Sequence, residues 1–327
     1  MVSASGRQIA LGAGVLLAGL ALAAAAEAPP IKPYKDELFR NVVVQTLYGG
    51  DMRFIEYSKE RDLYGRDEVV EKRAFEKFVS LEPSGVQKDL TLSADGRLVR
   101  YIGVGRTGGD ARFVVMFLHG GNGSRFQAVD DWTFGGNFNR LKNLVVRNDG
   151  LYLSPDFGII NGQGTGQVKA LMKAIAAQSP DAPFIVACTS LSGWLCFDLM
   201  ADREANRLLG GVVLLGSLVE EKKFFPAPVF TDPARHIPIF IGHGTKDTIL
   251  NWVTQELFFK RVKSRAPEYP IRFDAFVNGL HGTPMRLTDW RRVLNWMLGE
   301  NARRVSASAD PPNVPGAVPP IPTAAPR

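Results

Sequence analysis

The chain has 327 residues, 45% of them hydrophobic and 22% charged, which is close to the average of globular proteins. This composition excludes a disordered chain, a collagen-like fibre and a coiled coil, and the mean hydropathy of −0.04 excludes a multi-span membrane protein. Two cysteines and four histidines are too few for a disulfide scaffold or a multi-histidine metal centre. The net charge of +6 is not concentrated in one segment, so we expect no nucleic-acid partner.

Both ends of the chain are predicted to lie outside the folded core. Arg7 precedes an uncharged apolar stretch from Ile9 to Ala26, which predicts a signal peptide over residues 1–26 and a periplasmic or secreted protein. The alternative is an uncleaved anchor, and only then is a membrane a partner. Residues 305–327 are rich in proline, which predicts a disordered tail.

The middle of the chain alternates between two patterns. Residues 27–85 form a lead-in, in which the apolar spacing after Asp67 predicts a helix through about Val79. From residue 86 to residue 304, a hairpin signal at 94–96 is followed by continuous apolar runs typical of buried strands, separated by helical patterns. We therefore predict an α/β domain with a mostly parallel eight-stranded sheet, helices on both faces, and functional residues on the loops after the strands.

The segment after the strand at 184–188 has the pattern of a nucleophile elbow. Such a strand-to-helix turn requires small residues two places before and two places after the nucleophile. Only Ser190 meets this condition, because Cys188 and Ser192 flank it, whereas Thr189 and Ser192 would each have a large residue at the second following place. Both flanking residues differ from the usual glycines, and an ordinary serine-rich helix N-cap is the alternative.

A serine hydroxyl becomes a useful nucleophile when a base takes its proton. His281 lies between glycines just after the last predicted strand, and is the candidate base. Asp247 follows the preceding strand and can orient the imidazole, with Glu220 and Glu221 as the runners-up.

A glycine-rich loop follows the strand that ends at Leu118. Its backbone N–H groups can approach a ligand closely, so we expect oxyanion donors from Gly121 or Asn122 and from Leu191, the residue after the nucleophile. The loop, Ser190, Asp247 and His281 follow one another along the chain, each at a predicted strand end. This joint placement predicts a serine hydrolase that needs no metal or organic cofactor.

Over about residues 88–300 the chain resembles the α/β-hydrolase superfamily. The resemblance rests on the segments 117–122, 188–193, 242–247 and 279–282. Within the superfamily it is most similar to secreted esterases of the polyhydroxyalkanoate depolymerase and feruloyl esterase kind. The resemblance implies a small-molecule or polymeric ester as substrate, and a role for His119 in shaping the oxyanion loop.

Other activities stay open at this point. The same triad would serve a peptidase or an acyltransferase, and an inactive relative could act as a cell-envelope binding module. Oligomeric state is not indicated. Phe126, Trp132 and Phe134 could line an apolar substrate pocket, although core packing explains them equally well.

The two cysteines lie before and after the elbow. We expect Cys188 and Cys196 to be free buried thiols, because a bridge requires the chain to double back within bonding distance. His243 and Asp247 are four residues apart, but no third ligand is near in the sequence, so we expect no metal site.

Overall fold

A computed structural model describes residues 30–94 and 96–308 of the chain. Twelve strands occur in these ranges: β1 Val42–Leu47, β2 Met52–Glu56, β3 Asp67–Val69, β4 Arg73–Ala74, β5 Gln87–Ala94, β6 Arg97–Gly105, β7 Val114–Leu118, β8 Leu151–Pro155, β9 Phe184–Thr189, β10 Leu209–Leu215, β11 Ile239–Gly244 and β12 Ile271–Val277. The α-helices are α1 Asn137–Val146, α2 Gly162–Gln178, α3 Gly193–Ala201, α4 Arg203–Leu208, α5 Glu221–Phe224, α6 Pro228–Thr231, α7 Trp252–Arg265, α8 Thr283–Leu287 and α9 Trp290–Ser308.

The main sheet has ten strands in the order β1-β2-β12-β11-β10-β9-β7-β8-β6-β5. The seven strands from β2 to β8 in this order are parallel, and β1, β5 and β6 join them in antiparallel pairs. The predicted count of eight strands is therefore wrong, and the sheet is mixed. The two extra strands are β1 and β2 of the lead-in, which extend the edge next to β12.

Helices cover both faces of the sheet because the central strands are apolar on both sides. The side chains of β7, β9, β10 and β11 are buried along their whole length. On one face they pack with α2, α3 and α7, and on the other with α1 and α9. The fold is thus the expected α/β arrangement, with the strand ends free to carry a site.

The helix predicted after Asp67 is wrong. The segment instead forms the two short strands β3 and β4 and a 3₁₀ turn at Glu76–Phe78. The Asp67 carboxylate does not cap a helix, because it accepts two hydrogen bonds from the Arg286 guanidinium, both 2.8 Å long. Ala74 and Phe78 still turn inward, against Phe39. A distant ion pair has overridden the local apolar spacing.

The expectations for the two ends of the chain fall largely outside the described residues. The predicted signal peptide, residues 1–26, lies entirely outside them. Helix α9 continues through Ser308, into the stretch that we expected to be tail, and the rest of the tail lies outside as well. Within the ranges that the structure describes, none of the helices has the length and apolar character needed to cross a membrane.

Candidate active site

Ser190 occupies a sharp turn between β9 and α3. Strand β9 ends at Thr189, a short 3₁₀ turn spans Ser190–Ser192, and α3 begins at Gly193. The backbone of Ser190 has φ +54°, a left-handed conformation that costs a non-glycine residue roughly 1–2 kcal/mol. Such a turn lifts the hydroxyl above the sheet edge, which is the geometry of a nucleophile elbow.

Ser192 and Gly193, which follow the nucleophile, fit the elbow closely, and Ser192 stands at a place where such turns usually have glycine. The hydroxyl of Ser192 is buried and lies 2.8 Å from the carbonyl oxygens of Leu118 and Thr189, and it accepts a hydrogen bond from the Thr189 N–H. Ser192 therefore fastens the elbow to the end of β7. Gly193 leaves no room for a side chain, because an added Cβ would lie 1.9 Å from the Ser217 hydroxyl.

Cys188 and Cys196 form a disulfide, so the expectation of free thiols is wrong. The elbow turns the chain back on itself, so that the first turn of α3 passes beside the end of β9. The two Cα atoms are thereby brought to 6.2 Å, within the range that a disulfide spans. The bond links the strand before the nucleophile to the helix after it.

The glycine loop after β7 lies against the elbow. A Cβ added to Gly120 would be 3.1 Å from the Ser190 Cβ, and one added to Gly121 would be 3.2 Å from a methyl group of Leu191. Within the described part of the chain, the N–H groups of Gly121 and Asn122 donate no hydrogen bond. The loop therefore brings free donors to the neighbourhood of the nucleophile, as an oxyanion hole requires.

His119 packs against this glycine loop. Its imidazole is buried and stacks on Phe157, with ring centroids 4.3 Å apart, and its Nδ1 lies 2.8 Å from the Gly120 carbonyl oxygen. This position agrees with a role in shaping the loop.

His281 lies on the loop between β12 and α8, at the same sheet edge as Ser190. Its Nδ1 is 2.7 Å from Oδ2 of Asp247. Gly216, which follows β10 with φ +51°, passes directly behind the imidazole, and a Cβ there would lie 3.5 Å from Nδ1. Ser190 Oγ makes no hydrogen bond within the described ranges, and in free enzymes such contacts commonly tighten only when a substrate binds.

The loops that carry Asp247 and His281 are fastened to each other. The Lys246 N–H donates to the Gly279 carbonyl, and the Asn278 N–H donates to the Thr245 hydroxyl, both over 2.9 Å. A Cβ on Gly244 would lie 2.4 Å from the Gly279 oxygen, so this close approach requires glycine. The backbone thus fixes the distance between the carboxylate and the imidazole.

The side chain of Asp247 is fully buried and surrounded by donors. Its Oδ1 accepts hydrogen bonds from the N–H groups of Ile249 (2.8 Å) and Leu250 (3.0 Å), and its Oδ2 lies 2.7 Å from His281 and 3.0 Å from His243 Nε2. Burial by itself raises the pKa of this carboxyl, but the hydrogen bonds outweigh it, so the pKa of Asp247 lies far below its usual value. The carboxylate is ionised and can orient His281.

The sequence did not indicate the role of His243. Its imidazole is completely buried, and its Nε2 lies 3.0 Å from both the Leu250 carbonyl oxygen and Asp247 Oδ2. Both neighbours are acceptors, so Nε2 carries a proton. His243 therefore holds the turn that wraps the Asp247 carboxylate. The four-residue spacing was the available signal, but it resembled a pair of metal ligands.

The other candidates lie further from this centre. Glu221 forms an ion pair with Arg261, and within the described ranges neither Glu220 nor Glu221 forms a hydrogen bond or an ion pair with His281. Trp132 stacks under the guanidinium of Arg73, and half-exposed Phe126 lies under that of Arg125.

Two pockets flank the candidate triad. One, of about 650 Å³, lies beside the glycine loop and is lined by Gly120–Gly123, Phe157 and Arg100, among others. The other, of about 270 Å³, is lined by the residues on either side of His281 and by Phe134. Of the three predicted aromatic residues, Phe134 alone lines one of these two pockets.

Comparisons by sequence give no match, either to a protein-family model or to a curated protein. Solved structures with a similar fold include an esterase from Pyrococcus furiosus, with 14% identity, 68% of this chain and 96% of that chain covered, and a TM-score of 0.48. They also include a thermostable esterase from Pseudomonas putida, with 15% identity, 70% and 86% covered and a TM-score of 0.45. A soluble variant of the monoglyceride lipase from Saccharomyces cerevisiae has 11% identity, 66% and 96% covered and a TM-score of 0.47. These likenesses are distant, and the residues of the site itself carry the functional proposal.

Proposed function

We propose that this protein is an exported serine hydrolase of the α/β-hydrolase superfamily that cleaves a carboxylic ester through an acyl-enzyme on Ser190. The observation that carries the proposal is the joint placement of a strained serine elbow, a loop with free N–H donors and an Asp–His pair at one sheet edge. The chain order Ser190, Asp247, His281 is the order found in that superfamily.

The chemistry follows from these positions. Ser190 Oγ attacks the ester carbonyl, and His281 takes the hydroxyl proton while Asp247 stabilises the imidazolium. The N–H groups of Gly121 or Asn122 and of Leu191 hold the negative oxygen of the tetrahedral intermediate. The C–O bond to the alcohol then breaks, His281 returns the proton to the leaving oxygen, and water cleaves the acyl-enzyme by the same steps.

Two features of the elbow bear on the alternatives. An inactive binding module was suggested by the missing elbow glycines, yet Cys188 and Ser192 each make contacts that hold the turn. The disulfide also supports the proposed export, because disulfides persist mainly in oxidising compartments such as the periplasm. The resemblance to polyhydroxyalkanoate depolymerases and feruloyl esterases supplies the first polymeric and aromatic esters to test.

The test compares the mature protein with Ser190→Ala on a panel of p-nitrophenyl and feruloyl esters. We expect turnover by the wild type and a loss of about 10⁴-fold or more in kcat in the variant. Ser264→Ala serves as the control for removing a serine hydroxyl, because Ser264 is exposed on α7, away from the elbow. Esterase activity that survives in folded Ser190→Ala would refute the assignment.

A further inference from the structure

Strand β1 forms one edge of the main sheet and carries apolar side chains that face solvent. Within the described ranges its backbone pairs with β2 alone, so alternate N–H and C=O groups along its outer edge are unpaired. All of its side chains are exposed, and most of them are valine or leucine. Such an edge is a template for pairing with a further strand.

The opposite edge of the sheet is protected by charged side chains, whereas the β1 edge is not. Strand β5 carries Lys88 and Asp89, and the Asp89 carboxylate is bound by the Arg125 guanidinium over 2.8 and 3.1 Å. Charges of this kind prevent edge strands from pairing with other chains. The segment 41–50, which contains β1, has no charged residue and no proline. This difference between the two edges indicates that the β1 edge is covered in the working protein.

A β-bulge places Val44 at the most exposed point of this edge. The pairs with β2 pass from Val43 directly to Gln45, so Val44 has no cross-strand partner on β2. Val44 is 58% exposed, more than any other apolar residue of β1. Because a bulge interrupts regular pairing, a strand added at this edge is held over a short stretch, and we expect it to bind weakly.

The ends of the chain are poorly suited to cover this edge, and a second copy of β1 is well suited. A cleaved signal peptide is absent from the mature protein. Seven of the residues 309–327 are proline, which has no N–H group to donate to a strand ladder. When two β1 strands run antiparallel about an axis between Val44 and Gln45, Val42 of each copy lies opposite Leu47 of the other. No like charges meet in this arrangement.

We propose that two copies of this protein associate through their β1 strands, which pair antiparallel across a two-fold axis and join the two main sheets into one. The strand directions then fix how the copies are arranged. Strand β2 is parallel to the central strands and β1 is antiparallel to β2, so the central strands of the two copies run in opposite directions. The two candidate active sites therefore open at opposite edges of the joined sheet.

The test is sedimentation velocity of the mature protein, with circular dichroism to confirm that each variant is folded. We expect the wild type to pass from monomer to dimer between about 1 and 100 µM, as a weak interface requires. Val44→Lys brings two ammonium groups together next to the axis and should raise the dissociation constant by at least about tenfold. Val86→Lys is the matched control, because Val86 is an exposed valine directly before β5 at the other edge of the sheet. The control should dimerise as the wild type does.

Hydrogen exchange at the highest and lowest of these concentrations locates the interface. In the wild type, the amides of β1 should exchange more slowly at the highest concentration, and in Val44→Lys they should exchange equally fast at both. If Val44→Lys does not fold, Gln45→Lys, at the neighbouring exposed position, takes its place. A wild type that stays monomeric throughout, or a dimer that persists unchanged in the folded lysine variant, would overturn the inference. So would a monomer whose β1 amides are already protected, because a segment of its own chain would then cover the edge.

Discussion

Replacement of Asp247 by asparagine tests how the structure orients His281. The side chain keeps its size but presents one oxygen and one NH₂ group. If the oxygen turned toward His281, the N–H groups of Ile249 and Leu250 would both lose their acceptor, at a cost of about 1 kcal/mol each. The His243 Nε2–H also loses its contact with this side chain when the NH₂ group faces it, but it keeps the Leu250 carbonyl oxygen as an acceptor. The oxygen should therefore stay on the backbone side, which leaves the NH₂ group facing His281 Nδ1.

This orientation imposes the wrong tautomer on the base. His281 Nδ1 would have to accept a hydrogen bond from the introduced side-chain amide instead of donating one, so the ring proton would move to Nε2 and the base could not take the Ser190 proton. We expect kcat to fall by about 10³–10⁴-fold at neutral pH, which corresponds to roughly 4–5.5 kcal/mol in the barrier.

The assay is steady-state hydrolysis of a p-nitrophenyl ester by wild type and Asp247→Asn, with circular dichroism to confirm that the variant is folded. Asp181→Asn is the control, because Asp181 is exposed in the turn before β9 and its replacement removes the same charge. A folded Asp247→Asn variant that retains more than about a tenth of the wild-type kcat would refute the proposed role of Asp247.

Two further variants test contacts that hold the candidate site in place. Gly216→Ala places a Cβ 3.0 Å from the His281 carbonyl oxygen at φ +51°, so we expect kcat/KM for ester hydrolysis to fall by at least about tenfold. Gly50→Ala is the control, because Gly50 also has a positive φ but lies in open space, and its kcat/KM should be unchanged. Equal effects of the two substitutions would count against the contact between Gly216 and His281. Replacement of Cys188 and Cys196 by alanine should lower the free energy of unfolding by about 2.5 kcal/mol, because the disulfide closes a loop of eight residues. Guanidinium denaturation measures this change, and an unchanged midpoint would show that the disulfide adds no stability.

The parts of the fold that the sequence predicts are those governed by local burial. Strands such as β7 and β9 are apolar along their whole length, and that pattern indicates a sheet covered on both faces. The elbow is equally local, because the small residues around Ser190 meet a steric requirement of the turn.

The errors arise where contacts in the folded chain, and not the local pattern of apolar residues, decide the structure. The stretch after Asp67 has helical spacing, but the Asp67 carboxylate is bound by Arg286, more than two hundred residues later. The Cys188–Cys196 bond depends on how tightly the elbow reverses the chain, which spacing alone does not reveal. The predicted number of strands was too low in part because β1 has exposed side chains along its whole length and therefore lacks the apolar pattern of a buried strand.

The candidate site also contains residues that the sequence predicts and residues that it does not. Ser190, Asp247 and His281 each follow a strand, so their order along the chain predicts a common edge. His243 and Gly216 act through contacts with Asp247 and His281 that only the folded chain shows.

The central claim is that Ser190 is an activated nucleophile. Labelling of the mature protein with a fluorophosphonate, followed by mass spectrometry of the modified peptide, tests it directly. The account predicts one phosphonate on Ser190, and greatly slowed labelling in His281→Ala. A folded protein that takes up no label, or that is labelled on another residue, would contradict it.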